Sequence, residues 1–85
     1  MNHYLVRWID QNGTHESVQV ALGIRRKMEA GDYTHIVAYS LGNFFEHPSP
    51  VRLWYDRKTG KLSIFDDFGR FLESVQRAPI GKEAA

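Results

Sequence analysis

The side chains of this 85-residue sequence that could be put to chemical use are four histidines, one adjacent pair of aspartates and two clusters of basic residues. The histidines, His3, His15, His35 and His47, fall at no paired spacing such as H-x-x-x-H, and the chain has no cysteine to complete a zinc set. They read as surface or strand-edge residues, and no metal is expected. Asp66 and Asp67, with Asp56 or Glu73, could in principle hold Mg²⁺ for phosphodiester chemistry. A simpler role suffices for them: carboxylates at a helix N-terminus accept its free N–H groups and suit its dipole. Ser40-Leu41-Gly42 lacks the preceding glycine of a nucleophile elbow, and neither G-x-G-x-x-G nor a P-loop is present. The expectation is a protein that is not an enzyme and carries no cofactor.

The basic residues point to binding. Arg25-Arg26-Lys27 is the densest charge cluster, and Arg52, Arg57, Lys58 and Lys61 form a second one interleaved with Trp54 and Tyr55. Cations beside aromatic rings are what a surface for single-stranded nucleic acid uses, charge for the backbone and rings for stacking. Glu29, Asp32 and Asp56 sit among these positives, and eleven Lys and Arg against ten Asp and Glu leave a net charge of only +1. There is no global field to draw in a polyanion or an anionic membrane. Nucleic-acid binding through Arg25, Arg26, Lys27, Arg57 and Lys58 is therefore the second reading.

The first reading comes from residues 51–66. Two β-prone runs flank Lys58-Thr59-Gly60, which suits a three-residue hairpin loop. In that register Leu53 opposes Phe65, Trp54 opposes Ile64 and Arg52 opposes Asp66. Val51, Leu53, Tyr55 and Phe65 then form the core face, and Trp54, Leu62 and Ile64 are left on the other. An aromatic and aliphatic cluster rimmed by Arg52, with Phe44-Phe45 in the neighbouring loop, has the composition of a protein-protein hot spot. The expected function is a small protein-binding module that occupies a partner protein's surface or pairs with a second copy. By class analogy this is the way of small inhibitors and regulators, including phage- or plasmid-encoded anti-defence proteins.

The elements that must position these residues follow from periodicity. His3 to Asp10 alternates Tyr4, Val6 and Trp8 against Leu5, Arg7 and Ile9, a strand pattern, and Asn12-Gly13 suits a two-residue type I′ turn that would set Asp10 opposite His15. The next stretch reads two ways, as a return strand carrying Val18 and Val20 and as a helix with Val20, Ala21, Ile24 and Met28 along one side, and pattern alone does not separate them. A strand over about 14–20 and a helix over about 21–30, with Gly31 as left-handed terminator, accommodates both. Residues 32–41 read as a strand and 42–50 as the longest loop. Strands over 51–57 and 61–66 lead to a helix capped by Asp66 or Asp67, bearing Phe68, Phe71, Leu72 and Val75 at helical spacing and ending near Pro79. The sum is one α+β domain over residues 1–78, a mainly antiparallel sheet of about five strands in the order β-β-α-β-β-β-α with two helices on one face, and a frayed tail over 79–85.

Composition sets the remaining bounds. Hydrophobic residues at 42% and charged residues at 25% are those of a folding globular chain. The absence of cysteine removes disulfides and thiol catalysis and fits a reducing compartment. Arg7 and Asp10 interrupt the first apolar run, so neither a signal peptide nor a membrane span is expected, and the protein is read as cytoplasmic.

Overall fold

Alternation in the first strand divides inside from outside. In the computed structural model, which describes residues 2–76, β1 (His3–Asp10) buries Tyr4 and Val6 almost completely while Arg7 and Ile9 face solvent. The second strand, β2 (Gly13–Gln19), pairs with it antiparallel from Tyr4 opposite Gln19 to Asp10 opposite Gly13. The reversal uses Gln11 and Asn12 rather than Asn12 and Gly13. Asp10 Oδ1 accepts the Asn12 backbone N–H at 2.8 Å, an Asx turn, and only Gly13 takes a positive φ, 113°. His15 thus stands opposite Trp8, yet its imidazole still reaches Asp10 diagonally, Nε2 to Oδ1 at 2.9 Å.

The helix α1 spans Ala21–Ala30, as its pattern predicts, and ends where Gly31 adopts φ 66° and donates its N–H to the Lys27 carbonyl at 3.1 Å. Ala21 and Ile24 are buried against the sheet and Met28 packs beside them. Then come β3 (His35–Gly42), β4 (Ser49–Asp56), β5 (Lys61–Asp66) and β6 (Phe71–Val75). The architecture is a six-stranded antiparallel sheet, order β2-β1-β3-β4-β5-β6, with one helix.

Two further expectations are corrected. The second helix is absent, because residues 66–70 form a tight turn. Asp66 Oδ1 accepts the Phe68 and Arg70 backbone N–H groups, each at 2.9 Å, the Asp66 N–H bonds the Arg70 carbonyl, and Gly69 takes φ 84°. Asp66 is a cap as expected, but of a hairpin, and Phe71–Val75 completes the ladder on β5. The end of the expected helix near Pro79, and the tail, lie outside the described residues. The β4-β5 register is also shifted by one residue. Asp56 Oδ1 accepts the Lys58 N–H at 2.9 Å, which turns Arg57–Gly60 into a four-residue loop with Asp56 opposite Lys61. Leu53 therefore faces Ile64 and Tyr55 faces Leu62, while Trp54 faces Ser63 and Arg52 faces Phe65. A slip of one residue moves every side chain of a strand to the other face. Leu62 and Ile64, expected at an interface, are instead 0% exposed in the core with Tyr4, Val6, Ile24 and Ala38, and Phe65, expected in the core, leaves it.

The sheet is strongly curled. Four strand spacings separate β1 from β6, about 19 Å in a flat sheet, yet the Tyr4 hydroxyl donates a hydrogen bond to the Glu73 carboxylate. The helix touches β1, β2, β5 and β6 within the concave side. At the middle, β3 and β4 pair only through Ala38–Val51, Tyr39–Pro50 and Ser40–Ser49, so two three-stranded halves meet over a short ladder.

Candidate protein-binding face

One helix can cover only one side of a sheet, and α1 lies on the concave one. The residues that alternate with the core positions therefore form an open face: Leu5, Arg7 and Ile9 on β1, Val37 and Tyr39 on β3, Arg52 and Trp54 on β4, and Phe65 on β5. Trp54 is 70% exposed, and Ile9, Val18 and Val37 are exposed by two-fifths or more. Phe71 packs edge-on against Phe65 with ring centroids 5.9 Å apart and is itself 58% exposed. A row of apolar side chains from β2 to β6 is thus left in water at a cost of about 25 cal/mol for each Å² of apolar area, which association can recover.

The charges on this face are largely settled among themselves. The Arg7 guanidinium pairs with the Glu16 carboxylate directly across the β1-β2 ladder and lies 5.8 Å from the Tyr39 ring centroid. Arg52 donates to the Asp67 backbone carbonyl at 3.3 Å, and Arg70 pairs with Asp66 at 2.7 Å. The backbone N–H of Arg70, and then its side chain, hold the Asp66 carboxyl below the usual carboxylate range. Between β1 and β3 the face sinks into a shallow hollow of about 250 Å³ walled by Arg7, Ile9, Thr14, His35 and Val37.

Of the residues expected at a protein interface, Trp54 and Arg52 are on this face, and Leu62 and Ile64 are not. Phe44 and Phe45 are exposed in the β3-β4 loop, where Phe45 takes φ 55° and stacks on His3 at 4.7 Å. The basic residues of the second reading lie on α1 and on the β4-β5 loop, which meet at the C-terminal end of the helix. Arg25 is buried and donates to the Gly60 carbonyl at 3.2 Å and to Glu29 at 2.7 Å. Lys27 pairs with Asp32 at 3.0 Å and covers the Trp8 ring at 4.7 Å, and the Arg57 guanidinium lies against Gly31. Arg26 and Lys58 are exposed on separate elements. The histidines are dispersed: His15 stacks on Trp8, while His35 and His47 bond their own loop neighbours. Among the described residues no three His, Asp or Glu side chains gather at metal-binding distance, and no helix is long and apolar enough to cross a membrane.

Sequence reasoning missed Ile9, Val37, Tyr39 and the hollow between them. The signal was available in β1, where both alternating sets, Tyr4-Val6-Trp8 and Leu5-Arg7-Ile9, carry large apolar side chains. Compared with protein-family models, with curated proteins and with solved structures, the chain matches none, and its site stands on its own geometry.

Proposed function

We propose that this protein is a non-enzymatic binding module that occupies a partner protein's surface with the open face of its sheet. The observation that carries this reading is Trp54, an indole 70% exposed in the middle of β4 with Arg52 beside it on the same face. Nothing in the fold requires a tryptophan there, since the inward positions of the same strand, Val51, Leu53 and Tyr55, supply the packing. Tryptophan and arginine are the residues most enriched among those that dominate interface energies. A module that acts by occlusion, as an inhibitor or regulator does, needs no more than such a face.

The test places a photo-crosslinking benzoylphenylalanine at position 54 and, separately, at the exposed helix position 26. The reading expects a protein adduct of defined mass from position 54 and none from position 26. An adduct with nucleic acid, or the same adducts from both positions, would overturn it. Trp54→Ala should also leave the melting temperature within the range of ordinary surface substitutions, about 0.5 kcal/mol either way.

A further inference from the structure

The sheet is unpaired at one place inside it as well as at its two edges. β3 stays with β1 as far as His35, and β4 stays with β5 as far as Asp56, but β3 and β4 pair with each other only from Ser40–Ser49 to Ala38–Val51. Beyond that pair they part, and a slot opens between Ile36 on one strand and Leu53 and Tyr55 on the other. Alternation fixes which main-chain groups face it. The Asp66 N–H bonds the Arg70 carbonyl, so Asp66 turns toward β6 and its neighbour Phe65 turns toward β4. Phe65 stands opposite Arg52 and Ser63 opposite Trp54, which makes Arg52, Trp54 and Asp56 the residues of β4 that bond β5. The N–H and C=O groups of Leu53 and Tyr55 therefore point into the slot, where no backbone group among the described residues meets them.

The core is open at the same place. Tyr4, Val6, Ala38, Leu62 and Ile64 are at most 2% exposed, whereas the core-facing residues that flank the slot, Ile36, Leu53 and Tyr55, are only partly buried. Between Leu53 and Tyr55, Trp54 turns its exposed indole to the outer face. We infer that the slot takes an extended segment of the partner protein, added to β4 as a further strand beside Trp54. The inference names the chemistry of the partner and rests on the binding role proposed for this face. A row of alternating main-chain donors and acceptors is met by another strand, and the side chains of that strand set its specificity. Its residues opposite Leu53 and Tyr55 fall on the core side and are apolar, and the residue between them, opposite Trp54, lies against the indole. The outer edges of the sheet suit such a strand less well. On β2 the core-side residues are His15, Ser17 and Gln19, a polar row, and β6 is short and out of register with β5 at Phe65.

Amide hydrogen exchange read by NMR tests this, with a capped peptide of sequence KVTVK as the probe. Its valines match Leu53 and Tyr55, and its lysines keep it soluble. In the free protein the Leu53 and Tyr55 amides are expected to exchange at least about tenfold faster than those of Arg52 and Trp54. Equal protection of the four would mean that the slot is already paired, and would overturn the inference. Peptide at millimolar concentration is expected to slow the Leu53 and Tyr55 amides by at least about twofold. The same peptide N-methylated at both valines keeps its side chains and loses the two donors, and it is expected to leave both amides unchanged. No slowing, or equal slowing by the two peptides, overturns the inference. The photo-adduct at position 54 separates that failure from failure of the binding role: a protein adduct of defined mass in which the Leu53 and Tyr55 amides still exchange freely leaves the role standing and removes the strand.

Discussion

The Tyr4 hydroxyl donates to the Glu73 carboxylate across four strand spacings, and this bond marks how far the sheet has closed around its helix. Tyr4 is 0% exposed, and Asn2 Nδ2 also approaches Glu73, at 3.5 Å. Removal of the hydroxyl leaves a half-buried carboxylate without its main donor. Tyr4→Phe is expected to lower stability by about 1–2 kcal/mol, read from the urea midpoint, and Glu73→Gln by less, since an amide oxygen still accepts.

The same bond predicts a response to alkali. Burial, and then the adjacent Glu73, push the Tyr4 phenol well above its ordinary value of 10.0. The folded protein therefore keeps its proton after the unfolded chain has lost it. The associated stability is complete below pH 10 and is lost as pH rises from there through the folded-state value. Unfolding free energy measured against pH should turn downward near pH 10 in wild type, and the slope should be shallower in Tyr4→Phe. Equal slopes would show that Tyr4 ionises as freely in the native state as in the unfolded one.

Acid acts through the turn that replaced the expected second helix. Asp66 is held below its ordinary range by the Arg70 and Phe68 backbone N–H groups and the Arg70 side chain. A depressed carboxylate adds stability that is present above its unfolded value, near 3.9, and is lost as pH falls through the folded one. Asp66→Asn should lower the denaturation midpoint at neutral pH and remove part of the loss that wild type suffers in acid. A variant whose midpoint tracks wild type at every pH would exclude Asp66 as the organiser of the turn.

The hairpin register predicts opposite outcomes for two residues that a helical C-terminus would have ranked the other way. Ile64 is fully buried, so Ile64→Ala is expected to cost about 2–5 kcal/mol. Phe71 is 58% exposed, so Phe71→Ala should stay within about 1 kcal/mol in the monomer, mainly through its edge contact with Phe65. Chemical denaturation of the two variants checks this, and the reverse order would restore a helix over 68–75.

How much of this was legible depended on whether local chemistry or a single hydrogen bond set the outcome. The strands over 3–10 and 61–66 and the helix over 21–30 follow from periodicity and from Gly31, which act along a whole segment. The β4-β5 register turned on Asp56, whose carboxylate lengthened the loop by one residue and so moved Leu62 and Ile64 inward. Phe68, Phe71, Leu72 and Val75 satisfy helical spacing, yet Gly69 at φ 84° and the Asp66 turn reverse the chain before a helix can start. In the site, Trp54 and Arg52 could be found because their own strand is apolar on both faces. The hollow around Val37 could not, because it depends on β3 lying beside β1, a pairing between segments with no local signature.

Neighbouring arginines on α1 supply the last prediction, because the sequence treats them alike and the fold does not. Arg25 is 6% exposed, and its guanidinium ties the helix to the β4-β5 loop through the Gly60 carbonyl while pairing with Glu29 one turn on. Its Nε is buried without a hydrogen-bond partner, so the site already bears one unsatisfied donor. Arg25→Ala removes both contacts and leaves the Gly60 carbonyl short of a donor and a cavity beneath the loop, at an expected cost of about 2–4 kcal/mol. Arg25→Lys keeps the charge without the planar fork and should fall between that variant and wild type. Arg26, one position on and exposed, forms no ion pair among the described residues, and Arg26→Ala is expected within about 0.5 kcal/mol of wild type. Thermal melts of the three variants at moderate salt decide the matter. Equal destabilisation by Arg25→Ala and Arg26→Ala would mean that Arg25 is not the strut that joins helix to hairpin.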